Sequence, residues 1–225
     1  MKTEISHTSN HDALLRAVEI LKGGGLVAFP TDTVYGVAAF PWSADGVARL
    51  YEAKQRPSDR PIPLLLSEIA HLNRVAALPP QSSHQVRQLI ARFWPGGLTL
   101  VLPKTNVVPD AVSLGPAVAV RVPDLPLARE LIRDAGGVLA VTSANLSGQP
   151  SPITAREVEQ QLGGRIELIL DGGPCEGGVP SSLLDCMRSP PLLLRRGAIS
   201  KEDLQAVVGP IEAPLKSPPG QRLYR

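Results

Sequence analysis

Residues 12–36 read DALLRAVEILKGGGLVAFPTDTVYG, and the switch of pattern inside this stretch points to the fold class. Over residues 12–22 apolar side chains recur at helical spacing, and Gly23-Gly24-Gly25 is a stop signal, so a helix ends there. Residues 26–29 are a short apolar run of the buried-strand type. They lead into the loop Pro30-Thr31-Asp32-Thr33-Val34-Tyr35-Gly36, which places polar side chains at a strand end.

The same alternation continues outward. Residues 44–54 are expected to be helical, with Val47, Leu50 and Tyr51 on one face, followed by the loop Gln55-Arg56-Pro57-Ser58-Asp59-Arg60-Pro61. Residues 85–93 form another helix, with Val86, Leu89, Ile90 and Phe93 at matching intervals, closed by Pro95-Gly96-Gly97. Strands are predicted over 26–29, 98–102, 117–122, 138–141, 166–170, 182–184 and 192–194. Helices are predicted over 126–135 and 154–162, the latter opening with a capping box in which Thr154 stands three before Glu157. Ser200 and Asp203 mark a similar start for a last helix. Strands alternating with helices predict a single α/β domain, a twisted mixed sheet with covering helices, to which the strands after residue 166 add antiparallel pairs. No internal repeat is found. The expected boundaries are an N-terminal extension over 1–11, one domain over 12–208 and a flexible Pro-rich basic tail over 209–225.

Composition narrows the function classes. The 225 residues are 43% hydrophobic, enough to bury a core, and the net charge of +2 from 23 basic and 21 acidic side chains does not announce a nucleic-acid binder. Cys175 and Cys186 form no CxxC pair, and His7, His11, His71 and His84 are not ligand-spaced, which argues against a structural zinc site. Both thiols are expected to be reduced and near the core. No segment approaches the roughly 20 apolar residues of a membrane helix, so a soluble, cytoplasmic protein without membrane contact is expected. There is no GxxxxGK[ST] loop, no GxGxxG after a strand, no GxSxG and no HExxH.

Several polar residues recur at predicted strand ends: Thr31, Thr33 and Tyr35 after one, Arg121 on another, Ser143 and Asn145 after a third. In α/β sheets that is where ligands sit, although each alone has a local turn-forming reading. Lys54, Arg56 and Arg60 place three cations within seven residues. They either cap a helix end or neutralise a polyphosphate where no P-loop exists. Arg121 lies in the apolar run Ala117-Val118-Ala119-Val120-Arg121-Val122-Pro123, where an unpaired guanidinium is costly. An internal acid or a substrate carboxylate satisfies it equally well. The loop Asp171-Gly172-Gly173-Pro174-Cys175-Glu176-Gly177-Gly178 either lets backbone approach a ligand closely or is a flexible connection, and the second reading is preferred.

Taken in order, Pro30-Thr31-Asp32-Thr33-Val34-Tyr35-Gly36, Lys54-Gln55-Arg56-Pro57, Phe93-Trp94-Pro95-Gly96-Gly97-Leu98-Thr99, Val118-Ala119-Val120-Arg121-Val122-Pro123 and Ser143-Ala144-Asn145-Leu146-Ser147-Gly148 resemble successive motifs of the YrdC-like threonylcarbamoyl-AMP synthase family. The likeness extends through Pro150-Ser151-Pro152, residues 178–185 and Leu194-Arg195-Arg196-Gly197. It implies a YrdC-like catalytic domain over 12–208 with a deep basic cavity. It also implies an enzyme that converts L-threonine, bicarbonate and ATP, with Mg2+, to threonylcarbamoyl-AMP and pyrophosphate. A tRNA threonylcarbamoyl-transferase complex would receive the product. By the same resemblance Thr33, Tyr35, Arg121 and Ser181 face threonine and bicarbonate. Lys54, Arg56, Arg60, Ser143, Asn145, Ser151 and Arg195 face ATP, with Lys54 and Arg56 catalytic and no metal ligand supplied by the chain. Two positions depart from the family pattern: Leu65 where many members carry histidine, and Pro180-Ser181-Ser182 where an acidic residue, Ser and Thr are usual. The length matches the family's short form. The competing reading is a non-catalytic module for structured RNA, and weak RNA binding is compatible with either; the 4% aromatic content speaks against the module. A carbamoyl-transfer domain of the hydrogenase-maturation kind is a third reading, but this chain lacks the cysteines and the length of those proteins.

Overall fold

The computed structural model describes residues 2–9 and 11–213. In chain order the elements are β1 (Glu4–His7), α1 (His11–Lys22), β2 (Val27–Phe29), β3 (Gly36–Ala39), α2 (Ala44–Ala53) and β4 (Leu64–Leu66). There follow α3 (Leu72–Val75), α4 (Ser83–Phe93), β5 (Leu98–Pro103), β6 (Ala117–Arg121), α5 (Pro126–Asp134) and β7 (Val138–Ser143). The last are α6 (Ala155–Leu162), β8 (Leu168–Asp171), β9 (Ser182–Asp185), β10 (Leu192–Arg195) and α7 (Lys201–Val208). All ten strands join one sheet in the order β1-β8-β2-β3-β7-β4-β6-β5-β9-β10. Its pairs are parallel at β1/β8, β8/β2, β4/β6 and β5/β9, and antiparallel at β2/β3, β3/β7, β7/β4, β6/β5 and β9/β10. The expected mixed sheet with covering helices is therefore present, and β9/β10 is the antiparallel pair expected after residue 166.

Local chemistry explains the element ends. Helix α1 closes in a Schellman-type turn: Gly24, at φ +81, donates to the Leu21 carbonyl at 3.1 Å and Gly25 to that of Ile20 at 2.8 Å. Helix α2 starts on Ser43, whose hydroxyl accepts from the Gly46 amide. The Thr154–Glu157 capping box opens α6, and Ser200 caps α7.

Three strands escape the sequence pattern. β3 is GVAA, too small in its side chains to carry strand propensity, and β4 is only three leucines. β1 lies within the stretch expected to be an extension, where it pairs with β8 at the sheet edge, and that long-range partner leaves no local signal. The short helix α3 is also unpredicted. Of the tail, residues 214–225 lie outside the described residues.

Alternation along the strands sorts the core into two layers. One face sends Val27, Phe29, Ala38, Leu65, Leu139, Val141, Leu168 and Leu170 against α1 and α5. The opposite face carries the larger core, which packs on α2, α4, α6 and α7. Beyond the reach of α1 and α5 the first face continues only as a small cluster of Val101, Ala117, Ala119 and Leu183. No helix of the described residues is long and apolar enough to cross a membrane.

Candidate functional site

The first face of the sheet, where α1 and α5 give out, holds a cavity of about 80 Å³. Strand register explains its lining. Leu65 of β4 stands beside Arg121 of β6, and Ser143 of β7 beside Gly36 of β3. Thr99 of β5 and Val141 of β7 point to the same side. The loop after β2 adds Thr31, Thr33, Val34 and Tyr35, and Pro180, Ser181 and Arg195 close the far wall. One water needs roughly 10–15 Å³, so this partly open space has room for several waters or a ligand of amino-acid size. A nucleotide would extend beyond it.

Arg121 forms the floor. It is 5% exposed, and its Nε donates to the Gly96 carbonyl at 2.8 Å, Nη1 to Thr33 Oγ1 at 2.9 Å and Nη2 to Asp32 Oδ1 at 2.6 Å. Burial lowers the guanidinium pKa and the Asp32 carboxylate offsets part of that. Of the two partners left open by the sequence, the internal acid is present. Arg121 has five N–H donors, so these contacts leave one on each terminal nitrogen, the number a carboxylate takes.

The turn that supplies Asp32 and Thr33 is built by Thr31. Its hydroxyl donates to the Val34 carbonyl at 2.7 Å and accepts from the amides of Thr33 and Val34. The hydroxyls of Thr31 and Thr33 lie 3.0 Å apart. Since Thr31 spends its hydrogen on Val34, the hydrogen between the two hydroxyls belongs to Thr33.

Opposite, Ser181 Oγ accepts from Arg195 Nη2 at 3.0 Å and lies 2.8 Å from Thr99 Oγ1, while Arg195 Nε donates to the Ser181 carbonyl at 3.0 Å. Close approach holds this wall: a Cβ on Gly197 would fall 2.3 Å from the Pro180 carbonyl oxygen. Glycine has the same role in the loop expected to be flexible. A Cβ on Gly177 would fall 2.4 Å from the Asp32 carbonyl oxygen, and the Tyr35 hydroxyl donates to the Gly173 carbonyl at 2.8 Å. The loop expected to be flexible thus touches the Asp32 turn at Gly177 and Tyr35 at Gly173. Tyr35 is fully buried, and burial raises its phenol pKa well above the usual range.

The cationic loop lies behind the cavity. Lys54 is 1% exposed, and its ammonium donates to the carbonyls of Ser143 and Asn145, both at 2.5 Å. Burial, helped by the nearby Arg56 charge, lowers its pKa to about 7. The chain leaves α2 through Gln55, a non-glycine residue at φ +51, which turns Arg56 back onto its own loop. There Arg56 Nε donates to the Arg60 carbonyl at 3.0 Å and Nη2 to that of Pro61 at 2.8 Å. Asn145 donates to the carbonyls of Leu146 and Gln149, and its Oδ1 is buried with no partner among the described residues.

The structure thus brings Thr33, Tyr35, Arg121, Ser143, Ser181 and Arg195 to one cavity. Lys54, Arg56, Arg60, Asn145 and Ser151 are not in its lining. Thr99 and Asp32 were missed as site residues. Thr99 carried a readable signal, a polar residue inside the apolar run Leu98-Thr99-Leu100-Val101-Leu102, which is the argument that singled out Arg121. Among the described residues no three His, Cys, Asp or Glu side chains gather as metal ligands, and Cys175 and Cys186 are free and buried. Burial raises both thiols, Cys186 to about 12.

The site is thus a buried arginine at the floor of a small hydroxyl-lined cavity in a mixed α/β sheet. The Sua5/YciO/YrdC family model, described as "Telomere recombination", matches residues 19–197, and the chain belongs to that family. It is 45% identical over 206 residues to the threonylcarbamoyl-AMP synthase of Bacillus subtilis, a match covering 91% of this chain and 59% of that one. It is 37% identical over 185 residues to the threonylcarbamoyl-AMP synthase of Vibrio vulnificus, covering 82% of this chain and 98% of that one. The crystal structure of Pyrococcus abyssi Sua5 complexed with L-threonine superposes with a TM-score of 0.86 at 38% identity, over 94% of this chain and 62% of that one. The chain therefore spans about three-fifths of the Bacillus and Pyrococcus relatives and nearly all of the Vibrio relative.

Proposed function

We propose that this protein is an L-threonylcarbamoyladenylate synthase, a nucleotidyltransferase that joins L-threonine, bicarbonate and ATP. The observation that carries the reading is Arg121, buried at the floor of an amino-acid-sized cavity with one N–H left on each terminal nitrogen. A threonine carboxylate completes that set, and Thr33, Thr99 and Ser181 offer hydroxyls to the rest of the molecule. The names of the two relatives and the threonine complex of the Pyrococcus protein support the same substrate.

The chemistry then follows. Threonine's amine attacks bicarbonate, water leaves, and a carbamate forms. A carbamate oxygen attacks the α-phosphorus of ATP in line, the bond to the β-phosphate oxygen breaks, and pyrophosphate departs. The chain's part is to align the reactants, worth on the order of 7–11 kcal/mol, and to hold cations where phosphate charge shifts. ATP lies across the rim, beside Arg195 and Ser143; Lys54 acts from behind, through the Ser143 and Asn145 carbonyls that it holds, and Arg56, Arg60, Asn145 and Ser151 complete the set assigned to the nucleotide. Mg2+ accompanies the ATP phosphates, a role that asks no carboxylate cluster of the protein. The cavity walls, with ATP across the rim, limit the access of water to the labile carbamate. The product serves a cytoplasmic tRNA threonylcarbamoyl-transferase complex.

The test is pyrophosphate release with ATP, Mg2+ and bicarbonate, comparing L-threonine, L-serine and no amino acid. Release that requires both threonine and bicarbonate is expected. No release, with salt-sensitive RNA binding in its place, would replace the synthase by the RNA-binding reading.

A further inference from the structure

Asp32 has no part in the mechanism above, yet it is the anion on which Arg121 depends. Its Oδ1 lies 2.6 Å from Arg121 Nη2 and also accepts the Asp124 amide at 3.0 Å. One carboxylate oxygen therefore ties the turn after β2 to the segment that follows β6. Asp32 does not line the cavity, whereas Arg121 and Thr33 on either side of the contact do. Its own place is set from outside by Gly177, which packs on its backbone carbonyl.

We infer that Asp32 is a positioning residue, the group that aims Arg121 so that its two remaining N–H donors meet a ligand carboxylate inside the cavity. This rests on the synthase reading for the identity of the ligand. The physical reason is orientation. A guanidinium is planar and its donors diverge, so fixing Nε on Gly96, Nη1 on Thr33 and Nη2 on Asp32 defines both the plane and its rotation. Without Asp32 one side of the plane is released, and Nη2 turns toward the nearest acceptor. Asp32 also matches the arginine's charge, so threonine binds through geometry rather than through net charge.

The test compares Asp32→Asn and Asp32→Ala with the native protein in threonine-dependent pyrophosphate release, and measures L-threonine binding by calorimetry without ATP. For Asp32→Ala the KM and Kd for threonine should rise by about tenfold or more, as expected when a binding group is misplaced by a fraction of its length. The KM for ATP and kcat at saturating threonine should stay within about twofold, a split that a merely structural role does not produce. Asp32→Asn keeps the size and one acceptor, so it should fall between the two, and it carries the test if the alanine variant does not fold. Unchanged threonine affinity in a folded variant would overturn the inference, as would KM for ATP and threonine rising together. A native protein that binds no threonine would instead overturn the synthase reading itself.

Discussion

Two buried cations, one in the cavity wall and one outside its lining, are held in opposite ways. Arg121 meets a carboxylate, a hydroxyl and a carbonyl, so its charge is matched by Asp32 and what it offers a ligand is two directed N–H groups. Lys54, also buried, donates to the carbonyls of Ser143 and Asn145 and has no carboxylate partner among the described residues. Carbonyl dipoles orient an ammonium without cancelling its charge, which is why burial lowers the Lys54 pKa to about 7. One corner is built for shape and the other for field. On the proposed reading the first meets the threonine carboxylate, and the second acts on the ATP phosphates through its field rather than by contact.

The contrast can be broken most directly at Arg121. Arg121→Ala removes the ligand's carboxylate partner and leaves Asp32 unpaired, and threonine-dependent pyrophosphate release should fall by about 10²–10³-fold. Retained turnover with native threonine KM would mean that the carboxylate is held elsewhere. At Lys54 the difference shows in pH. The folded protein sheds this proton near pH 7 while the unfolded chain keeps it to roughly pH 10.4, so between those values the unfolded state binds more protons and stability rises with pH. The stability of the native protein relative to Lys54→Met, from urea unfolding at stepped pH, should therefore climb by several kcal/mol across that window and flatten below it. A flat profile would place a counter-anion beside Lys54.

Smaller effects sharpen the comparison. Arg56→Ala should lower turnover by more than about tenfold through the field it lends the Lys54 corner, with KM for ATP moving and KM for threonine not. Gly177→Ala presses a methyl onto the Asp32 carbonyl, which lies 2.4 Å from the new Cβ. It should cost about 1–3 kcal/mol in denaturant unfolding and weaken threonine binding but not ATP binding. If both ligands weaken together, the two corners are not separable.

Much of the fold was legible because its signals are short-range. Gly24-Gly25 stops α1, Thr154 with Glu157 opens α6, and the apolar runs of β5, β6 and β7 stand out from their flanks. β1, β3 and β4 were not legible, since their strand character comes from partners far along the chain. Cavity residues divide the same way. Thr33, Tyr35, Ser143, Ser181 and Arg195 sit in motifs that read as a series, as does Thr99, but that Thr99 meets Ser181 follows only from the pairing of β5 with β9.

Arg121 shows where the boundary falls. A guanidinium inside an apolar strand must have an anionic partner, and elementary electrostatics establishes that from residues 117–123 alone. That the partner is Asp32, 89 residues away and anchored by the Asp124 amide, follows from the packing of the turn after β2 against the end of β6. Lys54 divides in the same manner. The cluster of three cations is plain in the chain, but the turn of Lys54 inward onto two carbonyls is not. Hydrophobic period and turn chemistry act over a few residues and are written locally. The pairing of buried charges depends on which strands become neighbours, and only the closed sheet brings those groups within reach.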